Sequence, residues 1–261
     1  MNLKVSCIQF DIAFGNPEEN FKHMREKIEK AVLDKPDVIV LPELWTTGYD
    51  LTRLDEIADH EGQDTLLFLT QLAKEHRVNI VGGSIAKRTD DGVYNTMYMI
   101  DRNGELLNEY SKLHLFKLMD EHHYLQAGQH DGMFSLNGVS CAGFICYDIR
   151  FPEWIRKHTA KGAEVVFVVA EWPHPRLTHW RSLLISRAIE NQCYVVACNR
   201  AGKDPKNEFV GHSMIIDPWG EVLAEATEEE SILTGELQIE KVKNVRKQIP
   251  IFSDRRPEFY Q

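Results

Sequence analysis

Short apolar runs alternate along the whole chain with longer stretches in which apolar residues recur at helical spacing. Residues 3–10 alternate polar and apolar and read as a strand. Asn16-Pro-Glu-Glu then opens a helix to about residue 33, with proline at its first position and acid in its first turn. Residues 38–41 form a strand that ends in Pro42-Glu43. An amphipathic helix over 65–77, a strand over 79–86 and a hairpin follow, the hairpin's strands at 94–101 and 105–110 joined by Arg-Asn-Gly. The order then recurs. Residues 139–145 read as a strand, 151–161 as a helix, and 165–170 as a strand ending at Glu171-Trp172. A helix over 179–191, a strand over 194–198 and a second hairpin over 212–217 and 221–226 close the series.

The two hairpins superpose in sequence. Ile100-Asp101-x-x-Gly104-Glu105-x-Leu107-x-Glu109 matches Ile216-Asp217-x-x-Gly220-Glu221-x-Leu223-x-Glu225, an offset of 116 from Asp101 to Asp217. Residues 78–81 align with 194–197 at the same offset. Two similar α/β halves, each with a mixed sheet, predict two sheets face to face with helices outside. No Gly/Ser/Pro-rich linker divides them, so residues 1–261 read as a single domain. The segment from about 236 to 261 has few apolar residues, and we expect it to lie on a surface supplied by a partner subunit.

Composition narrows the function classes. The chain is 43% hydrophobic and 27% charged, an ordinary globular balance. A net charge of −10 without a Lys/Arg block argues against a nucleic-acid partner. The longest purely apolar run, residues 165–170, is far too short to span a bilayer, and the first ten residues read as a strand and not a leader. These features predict a cytoplasmic protein with no membrane partner. Its five cysteines should stay reduced there, and an odd number argues against a disulfide framework.

One of those cysteines is placed for chemistry. Cys146 ends the apolar run 139–145 and is followed at once by Tyr-Asp-Ile-Arg-Phe-Pro-Glu, as a nucleophile at the mouth of a pocket would be. Glu43 and Lys112 also follow strand-like segments, and ligands in open α/β sheets sit beyond the carboxyl ends of strands. A thiol is a few per cent thiolate at neutral pH. A neighbouring ammonium lowers its pKa, a carboxylate accepts its proton and returns it to a departing amine, and the same ammonium steadies an oxyanion. Cys, Glu and Lys together suit acyl transfer from an amide. Spacing alone does not choose this over a solvated glutamate, a surface lysine and a small buried cysteine.

Three segments carry a resemblance. Leu41-Pro-Glu-Leu44, Lys112-Leu-His-Leu-Phe116 and Ile145-Cys-Tyr-Asp-Ile-Arg-Phe-Pro-Glu153 resemble, in order, the signature segments of the nitrilase superfamily of carbon–nitrogen hydrolases. The resemblance implies a four-layer αββα sandwich, a homodimer and a cofactor-free thiol mechanism. In that mechanism Glu43 is the base, Lys112 the electrostatic stabiliser and Cys146 the nucleophile. It also implies a second glutamate after the lysine segment, matched by Glu121, which orients the lysine or the hydrolytic water. The backbone N–H of Tyr147 would share the oxyanion with Lys112.

The segments Glu171-Trp-Pro-His-Pro-Arg-Leu-Thr-His-Trp180, Arg187-Ala-Ile-Glu-Asn-Gln192, Asn199-Arg-Ala-Gly202 and the tail from Arg246 resemble the ω-amidase-like branch. That branch hydrolyses the terminal amide of short dicarboxylate monoamides such as 2-oxoglutaramate. A substrate with a free carboxylate needs a cationic partner, and arginine's planar fork suits it. Arg150 is the first candidate and Arg176 the second; Trp172 and Phe116 are candidates for the pocket walls. Nitrile and N-carbamoyl substrates are the alternative within the superfamily, and a non-catalytic thiol-reactive protein is the alternative outside it. No cofactor or metal is expected: the eleven histidines show no zinc spacing, and no nucleotide motif or serine-hydrolase elbow is present.

Overall fold

Residue parity along the strands decides the architecture. Val5, Cys7, Val38 and Val40 pack in one buried cluster with Phe144, Val166 and Val168, whereas their neighbours Ile8, Ile39 and Leu41 pack in a second cluster with Met24, Ile28 and Leu69 from helices. Alternate side chains leave a strand on opposite faces, so the first sheet is buried on one side by a second sheet and on the other by helices. The computed structural model, which describes residues 1–260, shows this arrangement throughout.

The first sheet has seven strands. Its centre is parallel: Asn2–Gln9 pairs with Val38–Val40, which pairs with Asn79–Thr89. Gly92–Ile100 and Leu106–Ser111 continue it antiparallel, and Asp59–His60 adds to Asn79–Thr89. The second sheet has six strands. Val139–Ile145, Val165–Ala170 and Tyr194–Asn199 run parallel, flanked by antiparallel Met133–Leu136, Met214–Ile216 and Val222–Glu225. Pro17–Ala31 and Gln63–His76 supply apolar side chains to the outer face of the first sheet. Leu177–Asn191 and Pro152–Ala160 pack against the second. Between the sheets the Cys198 thiol donates to the carbonyls of Ile8 and Val40, at 3.3 and 3.4 Å. This is the αββα sandwich.

The repeat is real, with one adjustment. Both hairpins carry a register shift at the same place, between Met99 and Ile100 and between Ile215 and Ile216. Asp101 accepts the N–H groups of Asn103 and Glu105; Asp217 accepts those of Trp219 and Glu221. The preceding strands correspond at an offset of 115, not 116: the Asn79 N–H donates to Asp37 as the Tyr194 N–H donates to Glu164. The second half is thus one residue longer between strand and hairpin, although the first-half strand carries a bulge of its own at Gly82-Gly83.

Much of the chain after Gly235 finds its surface within the chain. Ser231–Gln238, an unpredicted strand, pairs antiparallel with Asn2–Gln9, and Glu240–Gln248 buries Val242 and Val245. Arg246 donates to the Gln192 and Ala163 carbonyls at 3.2 and 2.6 Å. The end stays open, with Phe259 and Tyr260 more than half exposed. No helix among the described residues is long and apolar enough to cross a membrane. All five cysteines are free and buried.

Candidate active site

The bulge at Gly82-Gly83 shapes the glutamate loop. Gly83 has φ +60°, and a Cβ there would lie 2.1 Å from the Pro42 carbonyl oxygen. The close approach lets Ser84 N–H donate to Pro42 O at 3.1 Å while Ser84 Oγ accepts Leu44 N–H at 3.0 Å. Trp45 Nε1 donates to Gly82 O at 2.9 Å. Leu44 itself has φ +41°, a conformation that a branched residue adopts only when its surroundings impose it. Glu43 is thereby turned inward with no exposure.

Its carboxylate is held from three directions. Oε1 accepts Lys112 Nζ at 2.8 Å and Asn95 Nδ2 at 2.8 Å, and the Tyr49 hydroxyl lies 3.1 Å from it. Oε2 accepts the backbone N–H of Glu171 at 2.8 Å, from the opposite sheet. Lys112 is placed by its own N–H, which donates to Asn95 O at 2.8 Å. Its ammonium reaches Glu121 Oε1 at 2.6 Å, and Glu121 Oε2 accepts the Phe116 N–H at 2.7 Å. Glu43, Lys112 and Glu121 are all fully buried.

Cys146 stands where Val139–Ile145 breaks into a turn, with φ +44°. Asp148 holds that turn: Oδ2 accepts Ile145 N–H at 3.1 Å and the Tyr110 hydroxyl at 2.7 Å. Its Oδ1 accepts His114 N–H at 3.1 Å and sits 2.7 Å from His114 Nδ1. Asp148 therefore ties the cysteine turn to the segment that carries Lys112. The sulfur lies at the floor of its pocket, only 5% exposed, and not at the mouth.

Electrostatics differ from the simple expectation for a thiol beside an ammonium. Burial raises the Cys146 pKa most, and Glu43 and Glu121 add to it; Lys112 pulls the other way and loses. The resting sulfur is a protonated thiol. Burial opposes the Lys112 charge, but Glu121, Glu43 and Cys146 outweigh it and hold the ammonium well above its usual range. Glu121 is raised by burial and by Glu43, against the pull of Lys112. A buried thiol facing a carboxylate and an ammonium can transfer its proton only to the carboxylate, because the ammonium is already fully protonated.

The cavity over Cys146 is small, about 10 Å³, and is lined by Phe116, Tyr147, Arg150, Glu171, Trp172 and Arg176 among others. All four candidate binding residues therefore meet here. The Arg150 guanidinium stacks 4.7 Å from the Trp172 ring, and Arg176 5.3 Å from Phe116. Trp172 is fixed by its indole N–H, which donates to Arg176 O at 2.8 Å. Among the described residues neither arginine has a carboxylate within ion-pair distance; Arg150 has only His179 Nδ1, at 3.3 Å. Beyond Met119 a larger recess of about 360 Å³ opens, walled partly by the Tyr49 ring.

Several site residues escaped the sequence reading. Tyr49 and Asn95 are inward-facing polar partners with no motif of their own, and Asp148 lies inside the cysteine segment without a role read from it. Glu171, at the end of a predicted strand and the start of the branch-like segment, has no role legible in sequence, yet its amide holds Glu43. Its carboxylate takes Arg200 Nη1 at 2.7 Å, and burial, against that pull, pushes it up to about 8. The Gly-Gly pair inside a strand pattern was the one available signal, since it marks a bulge or a close backbone approach. No group of three or more His, Cys, Asp or Glu among the described residues is arranged to hold a metal.

The sandwich is the architecture of the carbon–nitrogen hydrolases. A superfamily member from Xanthomonas campestris, whose crystal structure carries an arsenic adduct in its active site, superposes with a TM-score of 0.92 at 28% identity, covering 98% of each chain. Residues 4–247 match the carbon-nitrogen hydrolase family model, and the chain belongs to that family, whose members are hydrolases of carbon–nitrogen bonds. It is 58% identical over the full length of both chains to a 2-oxoglutaramate amidase from Bacillus subtilis. It is 39% identical to a protein described as a hydrolase in the agr operon of Staphylococcus aureus, covering 99% of this chain and 100% of that one.

Proposed function

We propose that the protein hydrolyses the terminal amide of a short dicarboxylate monoamide, such as 2-oxoglutaramate, to the dicarboxylate and ammonia. The observation that carries this reading is the pair of guanidinium groups, Arg150 and Arg176, that line the Cys146 cavity without a carboxylate partner. An anionic substrate supplies the missing partner, and its displacement of the arginines from Trp172 and Phe116 opens the cavity. The identity to the Bacillus 2-oxoglutaramate amidase supports the same substrate class.

The chemistry follows from the cluster. Glu43 takes the Cys146 proton, and the thiolate adds to the amide carbon. Lys112, oriented by Glu121, and the Tyr147 N–H hold the oxyanion. Glu43 gives its proton to the amide nitrogen, the C–N bond breaks and ammonia leaves. Water then adds to the thioester while Glu43 takes its proton, the C–S bond breaks and the proton returns to sulfur. The 1–261 chain acts as one domain in a cytoplasmic homodimer, with the exposed end of the tail against the partner.

The test is ammonia release from 2-oxoglutaramate, succinamate, glutamine, a nitrile and an N-carbamoyl amino acid. We expect the first two to lead in kcat/KM, and Cys146→Ala to fold yet turn over none. The nitrile or the carbamoyl compound cleaved fastest would overturn the substrate reading. An active Ala variant would overturn the thiol mechanism.

A further inference from the structure

Tyr49 reaches between the two buried glutamates. Its ring walls the outer recess, but its hydroxyl points inward, 2.6 Å from Glu121 Oε1, 3.1 Å from Glu43 Oε1 and 3.5 Å from Lys112 Nζ. A phenol carries one proton. Both carboxylate oxygens lie within its reach, and one proton cannot serve both. The shorter distance places it on Glu121, leaving Glu43 with Asn95, Lys112 and the Glu171 amide as donors.

That choice matters because Glu43 is already heavily solvated by the protein. Each donor aimed at a carboxylate favours its charged form and weakens it as a base. We propose that Tyr49 is a positioning residue that turns its single hydroxyl proton between Glu121 and Glu43, and so sets how strongly Glu43 draws the proton from Cys146. The inference rests on Glu43 being the base. Turned to Glu43, the hydroxyl weakens the base; turned to Glu121, where the shorter distance places it, it leaves the base free to accept the thiol proton. The phenol keeps its proton throughout, since burial and the charges of Glu121 and Glu43 hold its pKa well above the usual range.

The charged groups around it are few. Glu43, Glu121, Lys112, Cys146 and Glu171 face the hydroxyl from the inside. Asp50, Asp120, Asp204 and Lys206 share the recess on the ring side. The inner groups come from both sheets and from the loops around residues 49 and 121, so a pH effect must be read at Cys146 itself.

Alkylation of Cys146 by iodoacetamide reads the thiol through loss of iodide, a step that breaks no amide bond. Rates are followed against pH in the wild type, Glu43→Gln, Tyr49→Phe, Glu121→Gln and the Y49F/E121Q double variant, each checked by thermal melt. Phe keeps the ring and removes the donor. We expect its acid limb to move up by roughly one pH unit, which is about tenfold slower alkylation on the acid side. In E121Q the hydroxyl turns to Glu43 and a negative charge is gone, so the limb should move down, and by less in the double variant. A Y49F limb that overlays the wild type, while E43Q slows alkylation, overturns the inference and spares the base. Should Y49F fail to fold, an E121Q limb that does not move down overturns it equally. An E43Q variant alkylated like wild type removes the base reading and this inference with it, whatever the amide substrate proves to be.

Discussion

The Lys112 ammonium and the Glu121 carboxylate meet at 2.6 Å with neither side chain exposed to solvent. Lys112 makes a second buried pair with Glu43 at 2.8 Å. One cation thus faces two carboxyl groups in a region closed to solvent. Removing the cation from such a cluster leaves two uncompensated anions.

Lys112→Met strands Glu43 and Glu121 side by side. One of them must then hold a proton at neutral pH, as close carboxylates do. We expect a stability loss of about 3–5 kcal/mol, the usual cost of breaking a buried pair. The kcat should fall by at least about 100-fold, as for the loss of an oxyanion donor. Urea melts and ammonia release check both.

Arg150→Ala separates binding from chemistry. The side chain lies on the cavity wall and touches no member of the Glu43–Lys112 cluster. For 2-oxoglutaramate we expect kcat/KM to fall about 10- to 100-fold, the loss of a charge-assisted hydrogen bond. For a neutral amide of similar size the same substitution should change kcat/KM little. Equal losses on both substrates would mean that Arg150 shapes the pocket and does not read the charge.

Asp148→Asn tests the tether between the cysteine turn and the lysine segment. The carboxylate accepts donors from Ile145, Tyr110 and His114. An amide turned into that ring sets its own N–H groups against at least one of them. We expect a loss of about 1–3 kcal/mol, the cost of an unmet buried donor, together with a lower kcat and an unchanged far-ultraviolet circular dichroism spectrum.

Glu171 predicts a pH dependence of stability. Its folded pKa, about 8, lies above the ordinary glutamate value of 4.5. The folded state therefore binds the proton more tightly than the unfolded chain does. Its contribution is complete below about pH 4.5 and is lost as pH rises through about 8. Unfolding free energy from urea melts should decline over that window in the wild type and decline less in Glu171→Gln. A parallel decline in both would place the effect elsewhere.

The sequence made the strands, the hairpins and the repeat legible because each follows from residue period and turn chemistry. Parity at residues 38–41 and Arg-Asn-Gly at 102–104 leave few alternatives. Glu43, Lys112 and Cys146 were legible because each ends a strand-like segment inside a distinct motif. The strand 231–238 was not, since its apolar residues Ile232, Leu233 and Leu237 follow no strict alternation and only its pairing with Asn2–Gln9 makes it a strand. Tyr49 and Asn95 stayed hidden for a related reason: a lone polar residue becomes a buried partner only through tertiary placement, which local pattern does not encode.

The Glu171 amide that grips Glu43 comes from the other half of the repeat. The reactive carboxylate is thus seated by one half of the molecule and steadied by the other. Turnover accordingly serves as a gauge of alignment between the halves: a molecule whose sheets had formed but slid by a single pleat would look native to a spectrometer and still release no ammonia.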